Sequence, residues 1–503
     1  MTTALLPPKA TTRAWAGLAV LMLPVLLVSV DNTVLSFALP QIALELRPSA
    51  AMQLWIIDIY PLALSGLLVA MGSLGDRIGR RRLLLIGSAG FAAVSVLAAF
   101  STSAEMLVLA RLLLGVFGAA LMPCTLSLIR GMFEDRSERR LAIAIWATGF
   151  AAGSAIGPIA GGLLLEHAPW GAVFLIAVPV LLPLFLLAPW LIKESKDPAP
   201  GPIDPVGILL SMLTLAPIVF AIKHVATHGV DTVAIIAALV GVAAGAAFVR
   251  RMLRVPTPML DVRLFTVPAF TGSVLVNLVS VVSLVGLLYY LPQHLQLVEG
   301  LSPLQAGLVL VPGTVGMVVA GLLAVRLVRR VRPAVVMAGG LVLSAVAFAL
   351  IAVAGTEATL LLLMVAFAIL SIGDGAAQTL SNDMIVSSAP AAKAGAASAI
   401  SETAYEAGAV IGTSVLGGVL TATYRAQLDV PAGVAASEAD AARETLAGAL
   451  QVARELPADL AAALTESARH AFDAGVVITS GVGAALMAVA VVLTLTLLRR
   501  ARD

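Results

Sequence analysis

An all-α integral membrane protein with fourteen transmembrane helices is the fold class that this sequence predicts, on three observations. Of its 503 residues, 60% are hydrophobic and only 12% charged, against about 25% charged in an ordinary soluble domain; mean hydropathy is +1.02. Apolar stretches of the roughly 20 residues that span the hydrocarbon layer recur along the whole chain. Lys and Arg fall mainly in alternate connections, as a correctly phased, even number of spans requires. Too little polar surface remains to build a solvated shell, which excludes a soluble enzyme, a nucleic-acid binder and a secreted scaffold. A net charge of +2 calls for no polyanionic partner. With Cys124 the single cysteine, there is no internal disulfide, thiolate zinc site or iron–sulfur cluster.

The elements follow in order. Lys9 and Arg13 precede the first span, 15–40, which is too long for a cleavable leader, contains Asp31 and runs into Pro40 without a small-residue cleavage site. Arg77, Arg80, Arg81 and Arg82 separate the second (52–74) from the third (83–101). Arg130, Arg136, Arg139 and Arg140 separate the fourth (105–129) from the fifth (140–165). Lys193 and Lys196 follow the sixth (170–192), and the seventh (205–224) and eighth (232–249) lead to Arg250, Arg251, Arg254 and Arg263. The ninth (267–292) and tenth (304–325) lead to Arg326, Arg329, Arg330 and Arg332. After the eleventh (334–354) and twelfth (358–380) comes Lys393, and after the thirteenth (396–424) and fourteenth (473–498) come Arg499, Arg500 and Arg502. These are 24 of the 31 basic residues. The opposite connections hold Arg47, Lys223, Arg425, Arg443, Arg454 and Arg469, which leaves Arg111 as the one buried base. Both termini are expected on the cytoplasmic face. The long outer loop, 425–470, reads as two short surface helices, one starting near Ser437–Asp440 and the other at Pro457, in a segment expected to take no part in the chemistry.

Several chemistries fall away. None of the five lysines follows a glycine, so there is no nucleotide-cradling loop. Ser371-Ile372-Gly373-Asp374 lacks the first glycine of an intramembrane aspartyl protease motif, and Asp58 precedes its tyrosine. His224 and His228, with Asp231 nearby, have metal-ligand spacing but sit at a membrane exit; no metal is expected.

Acids in apolar runs carry the most information, because an ionised carboxylate at mid-bilayer costs about 2.5–3.5 kcal/mol on insertion scales. Asp31, Asp58, Glu402 and Glu406 lie within such runs, and Asp374 lies deep in another; Asp383 is nearer an end and is expected at the interface. Glu402 and Glu406, four apart, share a helix face. Buried acids that hold a proton, release it when wetted or pair with a cation suit proton-coupled cation transport; the alternative is a polar contact between helices. Arg111 must face a cavity or an acid, and Asp31 is its natural partner. Gly149, Gly153, Gly157 and Gly161 make one bare face of the fifth span beside Pro158, suited to close helix contact or to a seal.

Residues 72–82, GSLGDRIGRRR, resemble the signature loop of the major facilitator superfamily. The stretch around Arg111 and Gly115 resembles its fourth-helix motif, and GFAAGSAIGPIAGG (149–162) its antiporter motif. VDNTVLSFALP (30–40) and SAISETAYEAGAVIG (398–412) are similar to segments of the fourteen-helix drug:proton antiporters of the QacA, SmvA and LfrA group. The resemblance implies an N-terminal six-helix bundle (1–200), two inserted linker helices (201–260) and a C-terminal six-helix bundle (261–503). It implies a monomeric, cofactor-free exporter of amphipathic, mainly cationic drugs and dyes across the cytoplasmic membrane, driven by the proton gradient. Asp31, Arg111, Asp58, Glu402 and Glu406 would couple protons, with Asp31, Glu402 and Glu406 also meeting the cation. Trp55, Tyr60, Trp146, Phe150, Tyr289, Tyr290 and Tyr405 would supply apolar walls and cation–π contact. Gly72, Asp76, Arg77 and Gly79 would lock the cytoplasmic gate, Asp76 against a helix N-terminus of the other bundle, while Gly153, Gly157 and Pro158 seal against leak. The tenth span carries no acid, so monovalent lipophilic cations are favoured over divalent ones. An exporter of an endogenous lipid or envelope precursor, and a non-transporting membrane sensor or scaffold, remain as alternatives.

Overall fold

The computed structural model describes residues 9–196, 204–256, 258, 260–389 and 394–498; Lys393, Arg499, Arg500 and Arg502 of the charge pattern lie outside the described residues. Thirteen helices among the described residues are long and apolar enough to cross a membrane. Arg136–His167, with 32 residues, is a further long helix in the place of the fifth span.

In chain order these are α1 (Thr12–Leu46), α2 (Ala50–Ile78), α3 (Arg80–Ala99), α4 (Ala104–Met132), α5 (Arg136–His167) and α6 (Ala172–Leu191). Then come α7 (Pro205–His228) and α8 (Thr232–Arg254). The last six are α9 (Pro268–Val298), α10 (Pro303–Leu327), α11 (Pro333–Ala354), α12 (Leu360–Ser387), α13 (Ala397–Gln427) and α14 (Ala458–Leu497). Apolar side chains face outward as well as inward, as a lipid-solvated bundle requires. Starts are set locally: side chains of Thr11, Ser49, Ser103, Asp204, Asp231, Ser302 and Thr359 each accept from an N–H of the first turn.

Packing repeats with an offset of eight helices. In the first half α1 packs on α5 and α2 on α4; in the second, α9 packs on α13 and α10 on α12. Across the seam α2 meets α13 and α5 meets α10, a reciprocal pair that a pseudo-two-fold between the halves produces. The α7–α8 hairpin stands outside this repeat and rests on α2 and α13 through α7. Two spans are wound more loosely for one turn, α9 at His294–Val298 and α13 at Thr413–Gly417, where π-helix replaces α-helix.

The outer loop departs from expectation. Ala436–Glu444 and Leu446–Ala453 are its two short helices, the first held by Glu438, which accepts from the Ala435 N–H at 3.2 Å. Pro457 starts no short helix: it is the N-cap of α14, which runs 40 residues because its first turns project beyond the apolar stretch. Nor is the segment detached. Glu444 pairs with Arg425 at 3.0 Å and accepts from the Ala50 N–H, also at 3.0 Å, capping α2 in the other half. Gln296 of α9 likewise donates to the Phe37 carbonyl of α1 at 3.1 Å. Both links lie on the face opposite the termini, where the halves are drawn together.

Candidate functional site

Two buried ion pairs meet at the seam. Arg111 reaches from α4 to Asp31 of α1, Nη1 to Oδ2 2.6 Å, and its Nε donates to the Ile56 carbonyl at 3.2 Å. Its guanidinium carbon lies 4.4 Å from the ring centroid of Tyr60, a cation–π contact in a site almost closed to solvent. Gly115 makes this possible: a Cβ there would stand 2.7 Å from the Tyr60 carbonyl oxygen, forcing α4 off α2.

The second pair corrects the sequence reading. Lys223, placed there among the bases of the opposite connections, is 1% exposed, so Arg111 is not the one buried base. Lys223 Nζ is 2.9 Å from Asp58 Oδ2 and 3.8 Å from the Trp55 ring centroid. The π turn of α13 brings Ser414, whose Oγ donates to the same Asp58 oxygen at 2.7 Å. Three elements, α2, the inserted α7 and α13, therefore close on one carboxylate.

Between the halves lies a cavity of about 290 Å³, lined by Asn32 and Ser36 of α1, Tyr289 of α9, Met317 and Leu322 of α10, Gln378 of α12 and Tyr405 of α13. A smaller space of about 40 Å³ shares Asn32, Ser36, Ile57, Tyr405 and Thr413 with it and is bordered by Asp58 and Arg111. Each ion pair thus contributes one member, Asp58 or Arg111, to the wall of this smaller space beside the chamber. Leu322 in its wall is 65% exposed, which opens that side toward lipid. Glu406 is buried on α13, within electrostatic reach of Glu402 and Arg111, and its Oε2 has no hydrogen-bond partner among the described residues. Glu402 is half-buried. Asp374 is fully buried inside the second bundle, where Ser344 Oγ donates to its Oδ1 at 3.3 Å; Asp383 is exposed.

The aromatic residues divide. Tyr289 and Tyr405 line the chamber. Tyr60 and Trp55 instead floor the two basic groups. Tyr290 is turned into the second bundle, its hydroxyl 2.9 Å from Ser480 Oγ, and Trp146 donates to Thr125 at 3.2 Å; neither lines the chamber. The Phe150 side chain lies outside the described residues.

The glycine face of α5 is pressed on α1: a Cβ at Gly153 would stand 2.6 Å from that of Ser29, and one at Gly157 would collide with Thr33. From the other side α10 closes in, so that a Cβ on Gly307 would stand 2.5 Å from the Pro158 carbonyl oxygen. In the signature loop, Gly79 adopts φ +111°, a conformation that favours glycine, and a Cβ there would meet the Glu194 carboxylate. Glu194 accepts from the Arg81 and Arg82 N–H groups, capping α3. Asp76 pairs with Arg80 of its own half, Oδ1 to Nη2 2.7 Å, and among the described residues it meets no helix N-terminus of the other bundle. The i,i+4 spacing of Asp76 and Arg80 brings them together across the turn. Gly72 faces Pro123, and Arg77 lies beside Asp76 at the end of α2. His224 and His228 stack on one another, centroids 4.6 Å apart, and His224 pairs with Asp231 at 2.8 Å. No group of three or more ligating side chains suited to a metal ion occurs among the described residues.

Two helical bundles in pseudo-symmetric repeat, with a largely apolar chamber between them and paired charges at their seam, define a multi-pass membrane transporter. The chain belongs to the Major Facilitator Superfamily, whose family profile matches residues 21–413. It is 58% identical over 479 residues to the multidrug efflux pump LfrA of Mycolicibacterium smegmatis, covering 95% of each chain. It is 35% identical to the methyl viologen resistance protein SmvA of Salmonella typhimurium over 92% of this chain and 93% of that one. Among solved structures, a bacterial homologue of the human lysosomal transporter Spinster, inward-facing and unoccupied, matches with a TM-score of 0.62 at 18% identity, over 97% of this chain and 99% of that one; this shows the shared fold.

Proposed function

We propose that this protein is a proton-coupled antiporter that exports amphipathic, mainly cationic drugs and dyes across the cytoplasmic membrane, acting as a monomer without a cofactor. The observation that carries the reading is the buried charge at the seam: Asp58, paired with Lys223, and Arg111, paired with Asp31, border the small space beside the chamber, and Glu406, whose Oε2 has no partner among the described residues, lies within electrostatic reach of Arg111. Similarity to efflux and resistance proteins over nearly the whole chain supports the cargo class. The bias of Lys and Arg supports cytoplasmic termini; with the halves drawn together on the other face, the chamber then serves the cytoplasm and inner leaflet.

A lipophilic cation enters past the exposed Leu322 side, rests against Tyr289 and Tyr405, and is held by ionised carboxylates. After the halves rock, protons arriving from outside neutralise those carboxylates and weaken their hold on the cation. Cation and proton compete for the same acids, so exchange follows from differential binding to two states of one carrier. The halves 1–200 and 261–503 would move as bundles, with 201–260 as the inserted pair, and the close contact at Gly153, Gly157 and Pro158 would hinder leak. Ethidium efflux from energised vesicles tests the reading: export should stop on adding a proton uncoupler, and export indifferent to the uncoupler would overturn it. Proton release on adding cation to the purified protein separates this reading from export of a neutral lipid or envelope precursor.

A further inference from the structure

The inserted hairpin places a buried amine on an acid beside the chamber. Lys223 is buried, its Nζ is 2.9 Å from Asp58 Oδ2, and Trp55 covers it at 3.8 Å. Asp58 is 0% exposed; Ser414 occupies Oδ2 further, while Oδ1 has no hydrogen-bond partner among the described residues. The same carboxylate borders the small space that shares Asn32, Ser36, Ile57, Tyr405 and Thr413 with the chamber wall. We infer that Lys223 is a tethered counter-cation that determines cargo charge: by neutralising Asp58 from α7 it keeps that end of the chamber from accepting a second cationic centre. This rests on the export reading above and deepens it by naming what sets the number of charges that the cargo carries.

The physics is one of substitution. An ammonium, a soluble monocation and one centre of a dication present the same charge to a buried carboxylate, so whichever holds it excludes the others. The Asp31 carboxylate is already engaged by Arg111 at 2.6 Å. With both aspartates paired inside the protein, the acids left for cargo are the two on α13. Loss of the Lys223 charge frees Asp58 to hold either a proton or a cationic centre, so an arriving cation can claim a carboxylate there by displacing a proton rather than a tethered ammonium. A charge several ångströms away at intermediate dielectric is worth on the order of tenfold or more in affinity. A dication, with a second centre to place there, gains more from it than a monocation does.

The experiment measures equilibrium binding of tetraphenylphosphonium and of methyl viologen to purified protein by displacement of ethidium fluorescence. Lys223→Gln should raise the preference for methyl viologen over tetraphenylphosphonium by about tenfold or more relative to the unaltered protein, and Lys223→Arg should restore the original ratio. A ratio unchanged in Lys223→Gln, or an equal change in Lys223→Arg, overturns the proposal. The double variant Asp58→Asn with Lys223→Gln removes both charges and leaves no lone buried ion; it should keep the original ratio, and a shifted ratio there overturns the proposal even if the single variant does not reach the membrane. Failure of the unaltered protein to bind ethidium at all would count against the export reading instead.

Discussion

Asp31 and Arg111 meet at 2.6 Å across the α1–α4 gap, and the Tyr60 ring lies under the guanidinium at 4.4 Å. Removing one partner of a buried pair costs about 3–5 kcal/mol, because the other charge is left uncompensated. Asp31→Asn should therefore insert into the membrane, melt at lower temperature once purified, and lose uncoupler-sensitive ethidium efflux. Unimpaired export in energised vesicles with equal protein content would remove Asp31 from the mechanism. Tyr60→Phe makes a sharp control. The Tyr60 hydroxyl has no partner among the described residues, so its loss should change neither melting nor efflux appreciably, while the cation–π face is retained.

Glu406 lies within electrostatic reach of Arg111 across the seam, Glu402 lies four residues away on the same helix, and neither has a basic residue at ion-pair distance among the described residues. The variant carrying Glu402→Gln and Glu406→Gln should lose export of cationic dyes by on the order of tenfold or more and export of neutral amphipathic compounds much less. Parallel efflux assays with one dye of each kind check this; an equal loss for both would assign these acids to the proton alone.

The span pattern was legible because lipid imposes long apolar helices and basic loops, a constraint that survives any detail of packing. The Asp31–Arg111 encounter was legible for a related reason: a permanently charged guanidinium inside a span needs an acid, and few are present. Lys223 was not. Five residues from the end of α7, a lysine ordinarily extends its stem toward the headgroups, and hydropathy cannot tell that α7 lies against α2 rather than lipid. The usable signal was depth, since Asp58 lies eight residues inside the same face of the membrane. The Asp76–Arg80 pair was not read from the sequence, because the two residues lie on different helices either side of Gly79. The glycines of α5 signalled close packing, but their partners, α1 on one side and α10 on the other, follow only from the bundle's three-dimensional order. Pro457 carried an N-terminal signal correctly, but nothing local says whether the helix it starts runs two turns or ten.

Asp204 ties the hairpin together at its other end. Its carboxylate accepts from Arg251 Nη2 at 2.8 Å and from the Gly207 N–H at 2.9 Å, so it both caps α7 and pairs with α8. The Arg251 hydrogen bonds hold its carboxyl below the ordinary value of 3.8, with the α7 N–H groups adding to the effect. A carboxyl depressed in the folded state contributes its full stabilisation above its unfolded value, here the ordinary 3.8, and loses it as pH falls through the lower folded value. Amide exchange at Gly207 should thus be pH-independent in local opening above that range and accelerate below it. Asp204→Asn should remove the acid-side change and raise opening at neutral pH; an acid-side change that persists in Asp204→Asn would mean that another group anchors the hairpin.

Gly307 and Gly339 provide the cleanest comparison of packing with helix propensity. Both are glycines within long helices of the second half, where alanine is intrinsically favoured by about 1 kcal/mol. At Gly339 a Cβ would meet nothing within 4 Å, so Gly339→Ala should leave efflux intact and hold or slightly raise the melting temperature. At Gly307 the same methyl group would lie 2.5 Å from the Pro158 carbonyl oxygen, a backbone atom that a rotamer change cannot move. Relief requires α5 and α10 to separate, at a cost of about 1–3 kcal/mol for an overpacked contact, and that separation opens the seam whose closeness we assign to holding back leak. Gly307→Ala should therefore melt lower and dissipate an imposed proton gradient faster than the unaltered protein in reconstituted vesicles. If Gly307→Ala and Gly339→Ala leave the gradient equally intact, the α5–α10 contact is packing alone and the seal lies elsewhere.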